Sequence, residues 1–192
     1  MRRQVVASLL VLLVTVQAAA ALKEGDTAPA FTAQASYAGK SFAYALKDSL
    51  AKGPVVVYFF PAAFTTGCNV QAHAFSESVG RFAAAGATIV GVSLDGIERL
   101  NAFSADPDYC AGKLAVASDR DGKIARAFGL RVSDARSGAT DTRGKEIDHG
   151  FTERTTFVVK RDGTVLASVG GVSPEENVAR ALELVRKLAA PR

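Results

Sequence analysis

The sequence predicts an α/β fold in which helices flank a central mixed β-sheet. Residues 54–60 are apolar throughout and rich in β-branched and aromatic types, which is typical of a strand buried on both faces of a mainly parallel sheet. A proline-free stretch with helical spacing, residues 68–85, separates this strand from a second apolar run at 87–93. Strand, helix and strand in this order form a right-handed crossover with parallel strands. A later hairpin around Asp162-Gly163 adds antiparallel strands.

Composition limits the chain to one domain of ordinary surface charge. Its 192 residues, 48% of them hydrophobic, suffice for one well-packed core and not comfortably for two. The 23 basic residues are scattered among 19 acidic ones, so we expect no nucleic-acid partner. The two histidines, His73 and His149, form no spaced cluster with the two cysteines, and we expect neither a metal nor a cofactor.

The N-terminus has the pattern of a secretory signal peptide. A positive start, Met1-Arg2-Arg3, precedes an apolar core at 5–16 and small residues up to Ala21. The apolar core is shorter than the roughly 20 residues that a membrane-spanning helix needs. We therefore predict a signal peptide at 1–21, a mature domain at 22–192 without stable membrane association, and a periplasmic or secreted location.

The mature domain opens with a predicted edge hairpin. Pro29 argues against a central strand at this point. Short alternating pieces between residues 31 and 42 flank Gly39-Lys40, as in an edge hairpin, and 44–52 are compatible with a short helix that ends at Gly53.

Beyond the second buried strand the predicted elements are shorter. A weak helical pattern covers residues 97–103, followed by a strand at 114–117 and a helix at 122–128. Residues 131–150 are polar and predict an exposed loop, which can be functional or simply mobile. The hairpin comes next, with strands at 155–159 and 164–169.

The last helix has a clear start signal. Ser173 suits the N-cap, Pro174 the first helical position and Glu176 the third position of a capping box. The helix is predicted to run to about residue 189.

Cys68 lies where the central strand passes into the long helix. The strand ends at Pro61, and the first-turn N–H groups and dipole of the following helix favour a thiolate over a thiol. A buried, inert cysteine is the alternative, and position alone does not decide between the two.

The residues around Cys68 carry a family resemblance. Pro61, Thr65 and Cys68 match the Pro-x-x-x-Thr-x-x-Cys motif of the peroxiredoxins, which are thiol peroxidases built on a thioredoxin-like fold. The stretch from Arg154 to Gly163 resembles the family's later strand, in which an arginine precedes Thr-Phe and a short hairpin follows. The resemblance implies a thioredoxin-like fold and peroxide as substrate.

The resemblance also implies a role for each motif residue. Cys68 would attack the peroxide, Thr65 and nearby backbone N–H groups would contact it, Arg154 would stabilise the thiolate and the transition state, and Pro61 would shield the site. Taken singly, Thr65 could be a helix cap, Pro61 a strand terminator and Arg154 a surface cation.

A sulfenic acid on Cys68 would need a second thiol, and within this chain that thiol is Cys110. The chain resembles the bacterioferritin-comigratory or Q-type subgroup, in which a resolving cysteine often lies five residues after the first. His73 occupies that position here, and Cys110 fits the variant with the resolving cysteine on the next helix. Gln71 is a further departure, since many peroxiredoxins have glutamate there. A thioredoxin-like or other dithiol reductant would then reopen the disulfide.

Other functions are less well supported by the sequence. A thioredoxin-type oxidoreductase needs Cys-x-x-Cys, whereas Cys68 is followed by Asn69-Val70-Gln71. An exported binding or redox-sensing module with a structural Cys68–Cys110 disulfide is the alternative. Monomer and homodimer both remain open, as does the choice between hydrogen peroxide and organic hydroperoxides.

Overall fold

The structure is a computed structural model that describes residues 20–190. The predicted signal peptide therefore lies almost entirely outside the described residues. No helix between residues 20 and 190 is long and apolar enough to cross a membrane.

Seven strands and five helices are present within this range. The strands are β1 Thr32–Tyr37, β2 Lys40–Ala45, β3 Val55–Phe59, β4 Thr88–Ser93, β5 Ala115–Ser118, β6 Thr155–Val159 and β7 Val165–Gly170. The helices are α1 Leu46–Leu50, α2 Thr66–Ala84, α3 Ile97–Ala105, α4 Lys123–Ala127 and α5 Pro174–Ala189.

All seven strands form one sheet in the order β2-β1-β5-β4-β3-β6-β7. Strand β3 is parallel to β4, and β4 is parallel to β5, as the crossover pattern predicts. Strand β6 is antiparallel to both β3 and β7, and the β1–β2 hairpin closes the opposite edge. The predicted fold class, a mixed sheet flanked by helices, is confirmed.

The continuous apolar run of β3 reflects a core on both faces of the sheet. Val56, Tyr58 and Phe60 point into one hydrophobic cluster with α2, α3 and α5. Val55, Val57 and Phe59 point to the opposite face, into a second cluster with α1 and α4. Because successive side chains point to opposite faces, both sets must be apolar.

Most predicted element boundaries lie within two residues of the observed ones. Helix α2 begins at Thr66 and helix α3 continues to Ala105. At the start of α5 the Ser173 hydroxyl accepts the Glu176 N–H at 3.2 Å, so the predicted cap is confirmed.

Burial departs from the local sequence pattern at two places, although most residues of 131–150 are exposed as predicted. The polar stretch 131–150 is not simply an exposed loop, because Asp141, Ile147 and His149 are buried. Cys110 lies among polar residues in the sequence and is nevertheless fully buried. In the first case the buried polar groups have ionic and hydrogen-bonding partners far away in the sequence, which offset the cost of removing them from water.

Candidate active site

The site lies at the edge of the sheet where β3 ends. Residues 61–65, here named the motif loop, lead from β3 into α2, and Cys68 is the third residue of that helix. Its side chain is almost completely buried in the hydrophobic cluster that β3 shares with α2. The thiol thus lies at a helix N-terminus and away from bulk water, an arrangement that strengthens electrostatic contacts to sulfur.

Arg154 reaches the sulfur from the neighbouring strand. Strands β3 and β6 are antiparallel, and Phe59 at the end of β3 pairs with Thr155 at the start of β6. Arg154, which precedes β6, therefore lies beside the end of β3. Its Nη2 lies 3.3 Å from Cys68 Sγ. A Cβ atom at position 67 would be 3.0 Å from the same Nη2, so Gly67 leaves room for the guanidinium.

Thr65 occupies the N-cap position of α2 without capping the helix. Its hydroxyl donates instead to the Ala62 carbonyl oxygen at 2.8 Å, across the motif loop. The Thr65 oxygen therefore keeps its acceptor capacity for another O–H donor. Pro61 is partly buried at the end of β3, at the other end of this loop.

A buried network of uncharged side chains binds Nη1 of Arg154, the terminal nitrogen that does not contact Cys68. Arg154 Nη1 donates to Gln71 Oε1, and Gln71 Nε2 donates to Asn177 Oδ1 at 2.9 Å. Asn177 also accepts from the Thr156 hydroxyl and donates to the Val169 carbonyl at 2.8 Å. Gln71, Asn177 and Thr156 are fully buried, so the guanidinium is fixed by neutral groups.

Asn177 is a part of this network that was not expected from the sequence. A signal was available, because Asn177 lies on the same face of α5 as the buried residues Ala181 and Val185. A polar residue on an otherwise apolar helix face needs a buried partner. That partner cannot be identified without knowing which helix packs opposite.

Cys110 lies in the turn after α3 and is a free, fully buried thiol, as Cys68 is free. Burial, with a smaller contribution from Asp106, raises the pKa of the Cys110 thiol far above its ordinary value. The turn is attached to α2 by a hydrogen bond between His73 Nδ1 and the Asp108 carbonyl at 2.9 Å, and by the exposed Lys113–Glu77 pair. Both cysteines belong to the same buried cluster.

Replacement of Gln71 by glutamate tests the effect of the neutral network. We expect Gln71→Glu to lower the thiolate fraction of Cys68 at a given pH, because a buried carboxylate would offset the positive charge of Arg154. The ultraviolet absorbance of the thiolate, titrated in Cys110→Ser protein, measures this fraction. An unchanged titration curve in the glutamate variant would contradict the expectation.

Comparisons with known proteins show which family the chain resembles. The AhpC/TSA family model matches residues 25–168. A Mycobacterium tuberculosis protein named as a peroxiredoxin is 33% identical over 159 residues, which cover 83% of this chain and 92% of that one. The chloroplastic peroxiredoxin Q of Suaeda salsa is 32% identical over 171 residues, covering 88% and 70%.

Solved structures show the same fold. The peroxidoxin BcpB of Mycobacterium tuberculosis superposes with a TM-score of 0.72 at 28% identity, covering 87% of this chain and 98% of that one. Peroxiredoxin Q of Xanthomonas campestris superposes with a TM-score of 0.68 at 24% identity, covering 88% and 99%. The chain therefore belongs to the AhpC/TSA family, as a thiol peroxidase of the peroxiredoxin Q type.

Proposed function

We propose that Cys68 is the peroxidatic thiol and that it reduces hydrogen peroxide, organic hydroperoxides or both. The observation that supports this most directly is the 3.3 Å contact between Arg154 Nη2 and Cys68 Sγ at the start of α2. The thiolate attacks one peroxide oxygen, the O–O bond breaks, and Cys68 becomes a sulfenic acid. The second oxygen leaves as hydroxide or alkoxide and takes up a proton. Arg154 stabilises both the thiolate and the charge that develops on the oxygens.

Thr65 and Pro61 set the approach of the peroxide. Because the Thr65 hydroxyl donates its hydrogen bond to the Ala62 carbonyl, its oxygen can accept a hydrogen bond from the O–H of a hydroperoxide. This contact would orient the peroxide for in-line attack by the sulfur. Pro61 covers the edge of the site next to β3 and limits the access of water.

Cys110 is proposed as the resolving thiol. Its thiolate attacks the Cys68 sulfur, the S–O bond breaks as the disulfide forms, and the oxygen leaves as hydroxide, which takes up a proton from solvent to become water. Both cysteines are buried and burial disfavours the Cys110 thiolate, so this step requires the turn around Cys110 to open. Besides apolar packing, the side-chain hydrogen bond and ion pair that attach this turn to α2 within the described residues are those made by His73 and Lys113.

The cycle closes with a reductant outside this chain. A thioredoxin-like or other dithiol donor would reduce the Cys68–Cys110 disulfide to two thiols. Both thiols would then return to their buried positions. The proposed location is the periplasm or the extracellular space, with residues 22–192 as the mature domain. A monomer or a homodimer would serve equally, because every residue named in the site comes from one chain.

Rapid mixing of the reduced mature domain with stoichiometric hydrogen peroxide tests this proposal. We expect loss of both thiols much faster than oxidation of free cysteine, with peptide mapping showing a Cys68–Cys110 disulfide. The Cys68→Ser variant, matched in volume, should not react at this rate. Oxidation of wild type no faster than free cysteine would instead favour an exported binding or redox-sensing module.

A further inference from the structure

We propose that a buried ionic cluster behind the motif loop holds that loop in its reactive conformation, with Asp95, Arg99, Asp141 and His149 as positioning residues. This inference rests on the proposed peroxidase function of the same site. Asp95 lies between β4 and α3 and Arg99 lies in the first turn of α3, whereas the other two lie in the polar stretch 131–150. We name these four residues the loop clamp.

The clamp binds both backbone polar groups of Ala63. Asp95 Oδ2 accepts the Ala63 N–H at 2.7 Å, and Arg99 Nη2 donates to the Ala63 carbonyl at 3.0 Å. Ala63 lies in the middle of the motif loop, two residues before Thr65. Charged partners make such hydrogen bonds stronger than neutral ones.

The next residue, Phe64, is held in an unfavourable backbone conformation. Its φ is 63°, in the left-handed region that a bulky residue rarely adopts because the backbone is strained there. Its carbonyl accepts both the Thr142 N–H at 3.0 Å and the Thr142 hydroxyl at 2.8 Å. The guanidinium of Arg143 lies 3.1 Å from the centre of the Phe64 ring. A strained residue immediately before Thr65 persists only where its surroundings enforce it.

Charges inside the clamp are paired. The Asp95 and Asp141 side chains have no exposed surface, and Arg99 bridges them, with Nε 2.9 Å from Asp95 Oδ1 and Nη2 2.8 Å from Asp141 Oδ2. Arg143, two residues after Asp141 in the chain, pairs with the same Asp141 oxygen at 2.8 Å. The loss of one member would leave another charge buried without its partner.

His149 completes the clamp as a cation. Nε2 lies 2.9 Å from Asp95 Oδ1 and Nδ1 lies 2.7 Å from the Gly150 carbonyl. Both ring nitrogens face acceptors, and only the doubly protonated imidazolium can donate to both. Burial lowers the pKa of His149, but the hydrogen bond and attraction to Asp95 outweigh burial and raise the pKa above its ordinary value.

The charged groups around His149 determine the direction of its pH effect. Asp95 and the adjacent Asp148 favour the imidazolium, and Arg120 opposes it from the β5–α4 turn. Because the folded-state pKa is raised, the stabilisation from His149 is complete below the unfolded value and is lost as pH rises through the folded value. The clamp should therefore loosen toward alkaline pH in wild type and not in His149→Gln.

A positioning role has a specific kinetic signature. Release of the motif loop misplaces Thr65, which contacts the peroxide, and leaves Arg154 next to Cys68, because Arg154 is held by Gln71. The rate of Cys68 oxidation by peroxide should fall, whereas its alkylation by iodoacetamide, which needs the thiolate and access to the sulfur but no contact with Thr65, should not. A merely structural role would change both rates or neither.

Thr142→Val, compared with Thr140→Val, is the first test. Thr142 is exposed, so its replacement should leave the fold intact, and the Thr140 hydroxyl makes no hydrogen bond within residues 20–190. We expect about 2–10-fold slower peroxide oxidation for Thr142→Val, which corresponds to one hydrogen bond. Asp141→Asn should slow it further, by about 10–100-fold, with unchanged alkylation.

Two outcomes would overturn the inference. One is that Thr142→Val and Asp141→Asn react with peroxide as fast as Thr140→Val, and the other is that alkylation slows in proportion. If wild type itself reacts slowly, the proposed function fails instead. The clamp is then judged by amide hydrogen exchange at residues 62–65, which must be faster in Asp141→Asn than in Thr140→Val.

Discussion

Replacement of Arg154 by methionine is expected to slow the oxidation of Cys68 by hydrogen peroxide by about 10²–10³-fold, the usual effect of removing one preorganised donor from a charge-developing site. The guanidinium contacts both the sulfur and Gln71, so its loss removes the cation next to the thiolate. Stopped-flow measurement of the bimolecular rate constant, in Cys110→Ser protein, isolates this step from disulfide formation.

Two comparisons make the Arg154 result specific. Arg161→Met removes an exposed arginine from the same hairpin and should leave the rate unchanged. Arg154→Lys keeps the charge but cannot contact Gln71 and sulfur at once through a planar fork, so an intermediate rate is expected. Oxidation of Arg154→Met within threefold of wild type would refute the proposed role, provided that circular dichroism shows a folded protein.

Replacement of Cys110 by serine is expected to abolish steady turnover with a disulfide-specific reductant. The first oxidation of Cys68 should keep its wild-type rate, because the residues that activate Cys68 do not include Cys110. Without a resolving thiol, the sulfenic acid persists and then takes up a second oxygen to give sulfinic acid. Intact-mass spectrometry after stoichiometric and excess peroxide distinguishes these products.

The Cys110 result also separates resolution from a structural disulfide. Wild-type protein treated with stoichiometric peroxide should show the disulfide and no overoxidation. Turnover of Cys110→Ser equal to wild type would mean that Cys110 does not resolve the sulfenic acid, and that the reductant acts on Cys68 directly. Unfolding of wild type upon reduction would instead indicate a structural bond.

Much of the site was readable from local sequence. Pro61, Thr65 and Cys68 lie within eight consecutive residues, so the chain itself keeps them together. Arg154 is far away in sequence, and only the family resemblance connected it with Cys68. The structure supplies the physical connection, because β6 pairs with β3 and brings Arg154 to the point where β3 ends.

The polar residues behind the site could not be assigned in this way. Asp95, His149 and Asn177 each look like ordinary surface residues in the sequence, yet all three are buried. Each has at least one partner that lies between 21 and 106 residues away along the chain. A buried polar group is defined by such partners, and a sequence pattern contains no information about them.

For this protein the amino-acid sequence alone determined the order of helices and strands, the mixed sheet and the position of Cys68 at a helix start. These features follow from apolar periodicity, caps and turns, which act over a few neighbouring residues. Only the tertiary structure decided that residues 131–150 fold back onto the motif loop, that Cys110 is buried, and that neutral amides fix Arg154. Those outcomes depend on which distant groups satisfy a buried charge or hydrogen bond, and packing of the complete chain is what brings such groups together.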